Sequence, residues 1–76
     1  MKVIVLSPDK KLFEDDVVSV NVPGEKGSFE VLENHAPIIS TLVSGEVVCK
    51  GSSEFRQTIS NGFIEVLNNV VTICVK

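Results

Sequence analysis

Hydrophobic and polar residues alternate along much of this 76-residue chain, with the two-residue period of a pleated strand instead of the 3.6-residue period of a helix. In Val18-Ser19-Val20-Asn21-Val22 the valines fall on one face and the polar residues on the other, and Ser28-Phe29-Glu30-Val31 repeats the pattern. Both stretches are predicted as half-buried strands. Near the end, Phe63-Ile64-Glu65-Val66-Leu67 and Val70-Val71-Thr72-Ile73-Cys74-Val75 are apolar on both faces. Asn68-Asn69 between them suits a two-residue hairpin, because asparagine tolerates the positive φ that a primed turn requires. Such a hairpin either sits centrally in a thin sandwich or meets another surface.

Turn signals cut the chain into short segments: Ser7-Pro8-Asp9, Pro23-Gly24-Glu25-Lys26-Gly27, Ser44-Gly45, Gly51-Ser52-Ser53 and Asn61-Gly62. Fourteen valines and six isoleucines against one alanine favour a pleated surface over a helix, where branched side chains lose rotamer freedom. The predicted fold is all-β, a sandwich or barrel of short strands. No linker, repeat or low-complexity segment appears, so residues 1–76 are expected to form one domain. A domain this small buries only about 60% of the surface of its unfolded chain, which makes partners or staples valuable to it.

Charge and composition narrow the function classes. A net charge of −3 and a pI near 4.9 have the wrong sign for a phosphate-backbone binder. Tyr and Trp are absent, and four Phe with one Arg offer no stacking platform for single-stranded nucleic acid. The longest apolar runs fall far below the roughly 18 to 20 residues that span a bilayer, and the opening Met1-Lys2-Val3-Ile4-Val5 has no secretory h-region. A soluble protein in a reducing compartment is expected, with Cys49 and Cys74 as free thiols packed within strands.

Little in the chain points to chemistry. His35 is the lone histidine, and no signature joins it to a serine, threonine or cysteine nucleophile, so an interface role is the better prediction. Glu14-Asp15-Asp16 lacks the spaced oxygens and turn glycine of a calcium loop and is predicted as a solvated acidic turn. Cys49, Cys74 and His35 are too few and too scattered for zinc. Gly24-Glu25-Lys26-Gly27 lacks the ending of a phosphate loop and precedes a strand. Lys26 near that turn lacks the neighbours of a lipoyl or biotinyl acceptor. Neither metal nor cofactor is predicted. The stretch from Pro23 to Pro37 instead devotes two glycines, two prolines and a histidine to shaping backbone, as a loop that faces a partner does.

The ordered motifs resemble the amino-terminal β-sandwich domain of the epsilon subunit of bacterial F-type ATP synthase. They are Val5-Leu6-Ser7-Pro8-Asp9-Lys10 with Leu12-Phe13-Glu14, Val20 followed by Pro23 to Phe29, His35-Ala36-Pro37-Ile38-Ile39, Gly45, Ser60 to Val66, and Asn69-Val70-Val71-Thr72. The resemblance implies a flattened two-sheet sandwich of about ten short strands. It also implies a non-catalytic rotor subunit of the central stalk that binds gamma and the c-ring and couples proton-driven rotation to ATP synthesis. Residues Glu25, Lys26, Gly27, Ser28, Glu30 and Glu33 become candidate c-ring contacts, and His35, Ala36, Pro37 and Ile38 candidate gamma contacts. The implied location is peripheral, on the cytoplasmic face of the bacterial inner membrane, without membrane insertion. Glu30 stands where the family usually has glycine, and Glu33-Asn34 where it commonly has Pro-Gly, so the loop before His35 carries two extra carboxylates. The family's inhibitory, ATP-binding pair of carboxyl-terminal helices has no counterpart in these residues, so neither that inhibition nor a small-molecule ligand is expected. The competing prediction is an autonomous binding module of the same fold with another ligand; a small hydrolase using His35 ranks third.

Overall fold

The computed structural model describes residues 1–76. They form eight strands and no helix: β1 (Lys2–Leu6), β2 (Lys11–Gly24), β3 (Gly27–Leu32), β4 (Ile38–Leu42), β5 (Gly45–Gly51), β6 (Glu54–Ile59), β7 (Gly62–Leu67) and β8 (Val70–Val75). The all-β sandwich is as the sequence predicts, but the strands number eight, not about ten. One cause is β2, which runs 14 residues straight through Glu14-Asp15-Asp16. That trio forms no turn. Its residues pair with Lys2, Val3 and Ile4 of β1, and Glu14 sits between the ammonium groups of Lys2 and Lys11, which offsets the repulsion expected of adjacent carboxylates.

Hydrogen bonds connect the strands in the order β1-β8-β7-β4-β2-β5-β6, with β3 added to β2. The path folds over on itself because β2 serves both layers: Lys11 to Asp16 pair with β1, and Ser19 to Gly24 pair with β3. A bulge separates these halves. Register against β5 shifts between Val17 and Ser19, so Val18 is the extra residue and turns outward at 64% exposure while Val17 takes the inward place. The single face predicted for Val18, Val20 and Val22 is therefore corrected to Val17, Val20 and Val22. A bulge reverses alternation and bends the strand.

Sixteen apolar side chains fill the space between the layers and no polar side chain is buried with them. Leu42, Ile64, Ile73 and Val3, Val5, Val20, Val22 are among those fully enclosed. The shape is flat, 26 × 24 × 17 Å, as two sheets packed about 10 Å apart require. Asn68 and Asn69 both have positive φ, 50° and 62°, which is the primed hairpin predicted between β7 and β8.

Candidate functional site

The candidate contact residues divide between the two ends of β3. Glu25 and Lys26 form the two-residue tip of the β2–β3 hairpin, closed by the Gly24–Gly27 pair. Gly27 has φ 125°, a conformation closed to residues with a Cβ, and a turn this tight follows from that freedom. Glu25, Lys26, Gly27 and Ser28 are all exposed. The tip does not hang free: the Glu25 N–H donates to the Thr41 carbonyl at 3.1 Å, and the Val43 N–H donates to the Pro23 carbonyl at 2.9 Å. These bonds fasten it to β4 and make a stiff, polar projection.

Glu30 faces solvent midway along β3, opposite Asn21. Glu33 lies beyond the far end of the strand, about 20 Å from the tip at the usual rise per residue. The structure therefore does not unite the six candidate ring contacts. Glu33 also has internal partners. Its carboxylate pairs with the Met1 ammonium and accepts a hydrogen bond from Asn69 Nδ2 at 3.0 Å. The Met1 ammonium, then Asn69, hold its carboxyl below the usual carboxylate range. Asn69 reaches the same loop a second time, its Oδ1 accepting from the Asn34 N–H at 2.8 Å. Asn34 adopts φ 60°, so it supplies the left-handed residue that a glycine would otherwise provide. Nothing in the sequence links position 69 to position 34, and Asn69 is a clamp that only the fold brings to light.

His35, Ala36 and Pro37 form the extended segment leading into β4. The His35 Nδ1 hydrogen-bonds the Ala36 carbonyl at 2.7 Å, its sole side-chain hydrogen bond in the structure, so the ring is held by its own backbone. Ile38 turns inward and packs against the core. Ile39 turns outward at 77% exposure, the highest of the large apolar residues. The signal for this was present in the sequence: alternation from the buried Leu42 puts Ser40 and Ile38 inward and Ile39 outward.

Ile39 links two shallow surfaces. One, of about 520 Å³, lies between the tip and β4 and is lined by Lys26, Ser28, Phe29, Ile39 and Thr41 among others. The other, of about 490 Å³, is lined by Pro37, Ile38, Ile39, Glu65, Val66 and Leu67. Phe63, Leu67 and Val70 are also substantially exposed, so the β7–β8 hairpin is central in its layer yet uncovered on one side. Elsewhere the chain offers little reactivity: Cys49 is buried, and burial pushes its thiol up to about 11.

The family model for the β-sandwich domain of the ATP synthase delta/epsilon chain matches residues 1–76. The chain belongs to this family. It is 42% identical over 74 residues to the ATP synthase epsilon chain of Leptospira borgpetersenii, covering 96% of this chain and 58% of that one. The epsilon chain of Protochlamydia amoebophila is 44% identical over 71 residues, covering 91% and 48%. The chain thus spans about half the length of these curated relatives. Among solved structures, the central stalk and c-ring of Tetrahymena thermophila mitochondrial ATP synthase contains a similar fold, with TM-score 0.85 at 17% identity over 97% of this chain and 61% of that one. The mitochondrial ATP synthase of Euglena gracilis contains another, with TM-score 0.87 at 21% identity over 96% and 48%. At those identities the likeness establishes the sandwich. No helix of the chain is long and apolar enough to cross a membrane.

Proposed function

We propose that this sandwich, residues 1–76, is the stalk-docking domain of an epsilon subunit: a non-catalytic rotor element of F-type ATP synthase, held by gamma, standing on the c-ring and coupling proton-driven rotation to ATP synthesis. The family match along the whole chain carries the proposal. The geometry supports it. A torque-transmitting part must deform little, and a closed sandwich whose interior contains only apolar side chains packs at crystal-like density. In this reading the tip, Glu25 to Ser28, meets the polar loops of the ring, with Glu30 beside it on the same strand. His35, Ala36, Pro37 and Ile38 meet gamma, the last through its backbone and the neighbouring Ile39. Glu33, already paired within the chain, orients that loop and contributes less to the ring than its charge suggests. The domain would then lie peripherally on the cytoplasmic face of a bacterial inner membrane. An autonomous binding module with another ligand is not favoured by these relatives.

The test is disulfide cross-linking in the assembled complex. Cysteines introduced as Ser28→Cys and His35→Cys should bond to cysteines on the ring loop and on gamma, respectively. If neither cross-links while the complex assembles and turns over, the contacts are wrong; if the chain never co-purifies with gamma, the function is wrong.

A further inference from the structure

The Met1 residue is built into the fold at both ends. Its side chain belongs to the apolar core, and its backbone pairs with Val17 in both directions: the α-nitrogen donates to the Val17 carbonyl at 3.1 Å, and the Val17 N–H donates to the Met1 carbonyl at 2.8 Å. The same α-nitrogen, as an ammonium, pairs with the Glu33 carboxylate. Glu33 in turn accepts from Asn69, and Asn69 accepts from the Asn34 N–H. One nitrogen thus heads a relay that ends in the loop between β3 and β4. That loop makes a single hydrogen bond from backbone to backbone, His35 N–H to the Leu32 carbonyl at 3.2 Å, so the relay is its main fastening.

An ammonium carries three hydrogens and a full charge, and this site uses both. A chain begun with formylmethionine starts without them: the formamide nitrogen is neutral and has one hydrogen, which can serve Val17 or Glu33 but not both. Glu33 then loses its only cationic partner. We propose that the Met1 α-nitrogen is a processing site on which the loop between β3 and β4 depends: hydrolysis of a formyl group there creates the ammonium that latches Glu33 and, through Asn69, Asn34. In that step water adds to the formyl carbon, the C–N bond breaks, formate leaves, and the freed amine takes up a proton. The nitrogen is enclosed in the finished fold, so the hydrolysis precedes closure of β1 on β2. Met1 itself must also survive. Excision of an initiator methionine requires a small following residue, and the long Lys2 protects the side chain that the core uses. Loss of Met1 would empty its place in the core and carry the ammonium one residue, about 3.8 Å between Cα atoms, along the chain from its partner.

The experiment compares the full protein purified from its own source with the same protein made while deformylase is inhibited, which retains the formyl group. Intact-mass measurement of the first should show Met1 present and its nitrogen free; a retained formyl group, a missing Met1 or residues ahead of it would overturn the proposal. In circular dichroism the formylated form should melt about 4–8 °C lower, the scale of one lost contact in a domain this size, and exchange at the Asn34 amide should quicken. Glu33→Ala should bring the same two changes to the deformylated protein, and formylation should then add little because the latch is already gone. Equal melting and equal Asn34 exchange in the two forms overturn the proposal, as does an undiminished formyl effect in Glu33→Ala. Should the formylated form not fold, Glu33→Gln, which keeps the shape and removes the charge, carries the test: parent-like melting and Asn34 exchange in that variant overturn the latch. Each of these results leaves the stalk reading intact.

Discussion

Replacing Asn69 separates two contributions that the structure superimposes at one residue. Its side chain makes two hydrogen bonds to the Glu33–Asn34 loop, and its backbone sits at φ 62°. Each hydrogen bond contributes about 0.5–1.5 kcal/mol net; at this half-exposed site the low end applies, or about 1 kcal/mol for the two. Alanine at left-handed φ costs a further ~1–2 kcal/mol. Asn69→Ala should therefore lose about 2–3 kcal/mol, while Asn69→Gly loses the bonds without the strain and should lose about 1 kcal/mol. For a domain of this size each kcal/mol lowers Tm by about 4–8 °C, so the alanine variant should melt about 8–24 °C below the parent and the glycine variant should lie between. Thermal unfolding followed by circular dichroism measures this, and exchange at the Asn34 amide should quicken in both. Equal melting temperatures for the two variants would refute the strain at residue 69. An unchanged Asn34 exchange rate would refute the clamp.

Three further outcomes follow from the geometry. A Cβ at Gly62 would land on the Cys74 carbonyl oxygen and within 3.1 Å of the Val75 Cα, backbone that can yield only by moving β8, so Gly62→Ala should cost about 3 kcal/mol in denaturant unfolding, the upper part of the overpacking range. Lys11, then Lys2, hold the Glu14 carboxyl at about 2; a depressed carboxylate stabilises above its unfolded value of 4.5 and loses that contribution as pH falls toward 2. The Glu14 carboxyl signal in NMR should accordingly titrate near the bottom of that window, move toward 4.5 in Lys11→Ala, and do so partly in 1 M salt because the pairs are exposed. Native protein treated with a thiol reagent should be labelled at the half-exposed Cys74 and spared at Cys49, whose buried thiol stays protonated; modification of both sites in the folded state would contradict the described core.

Much of the architecture is written in short-range pattern. Alternation around Ser28 to Val31, the Asn68-Asn69 turn and the absence of any helix are local preferences that packing reinforces. The errors lie where a local rule meets a long-range contact. Val18 appears inward by alternation because a bulge inserts one residue, and bulges have no strong sequence mark. Glu14-Asp15-Asp16 resembles a turn because the lysines that neutralise Glu14 include Lys2, from another strand. The candidate site was legible as one ordered stretch from Pro23 to Pro37, yet its two halves lie at opposite ends of β3. Glu33 reads as a free carboxylate until the fold sets the Met1 ammonium and Asn69 beside it.

The parallel pairing of β1 with β8, Lys2 beside Val70 through Leu6 beside Cys74, also bears on how the domain is made. Of the eight strands of this domain β1 is made before the others, and one of its edges is covered only by β8. Until Val70 to Val75 emerge, β1 offers an open, valine-rich edge to any passing strand, and closure must wait for contacts that span nearly the whole chain. Such non-local pairing is slow, on the order of milliseconds to seconds, and an uncovered edge invites mispairing. Synthesis of this domain therefore contains a vulnerable interval that ends abruptly with its final strand, and substitutions in β8 should reduce yield in the cell more than the melting temperature of the finished protein would suggest.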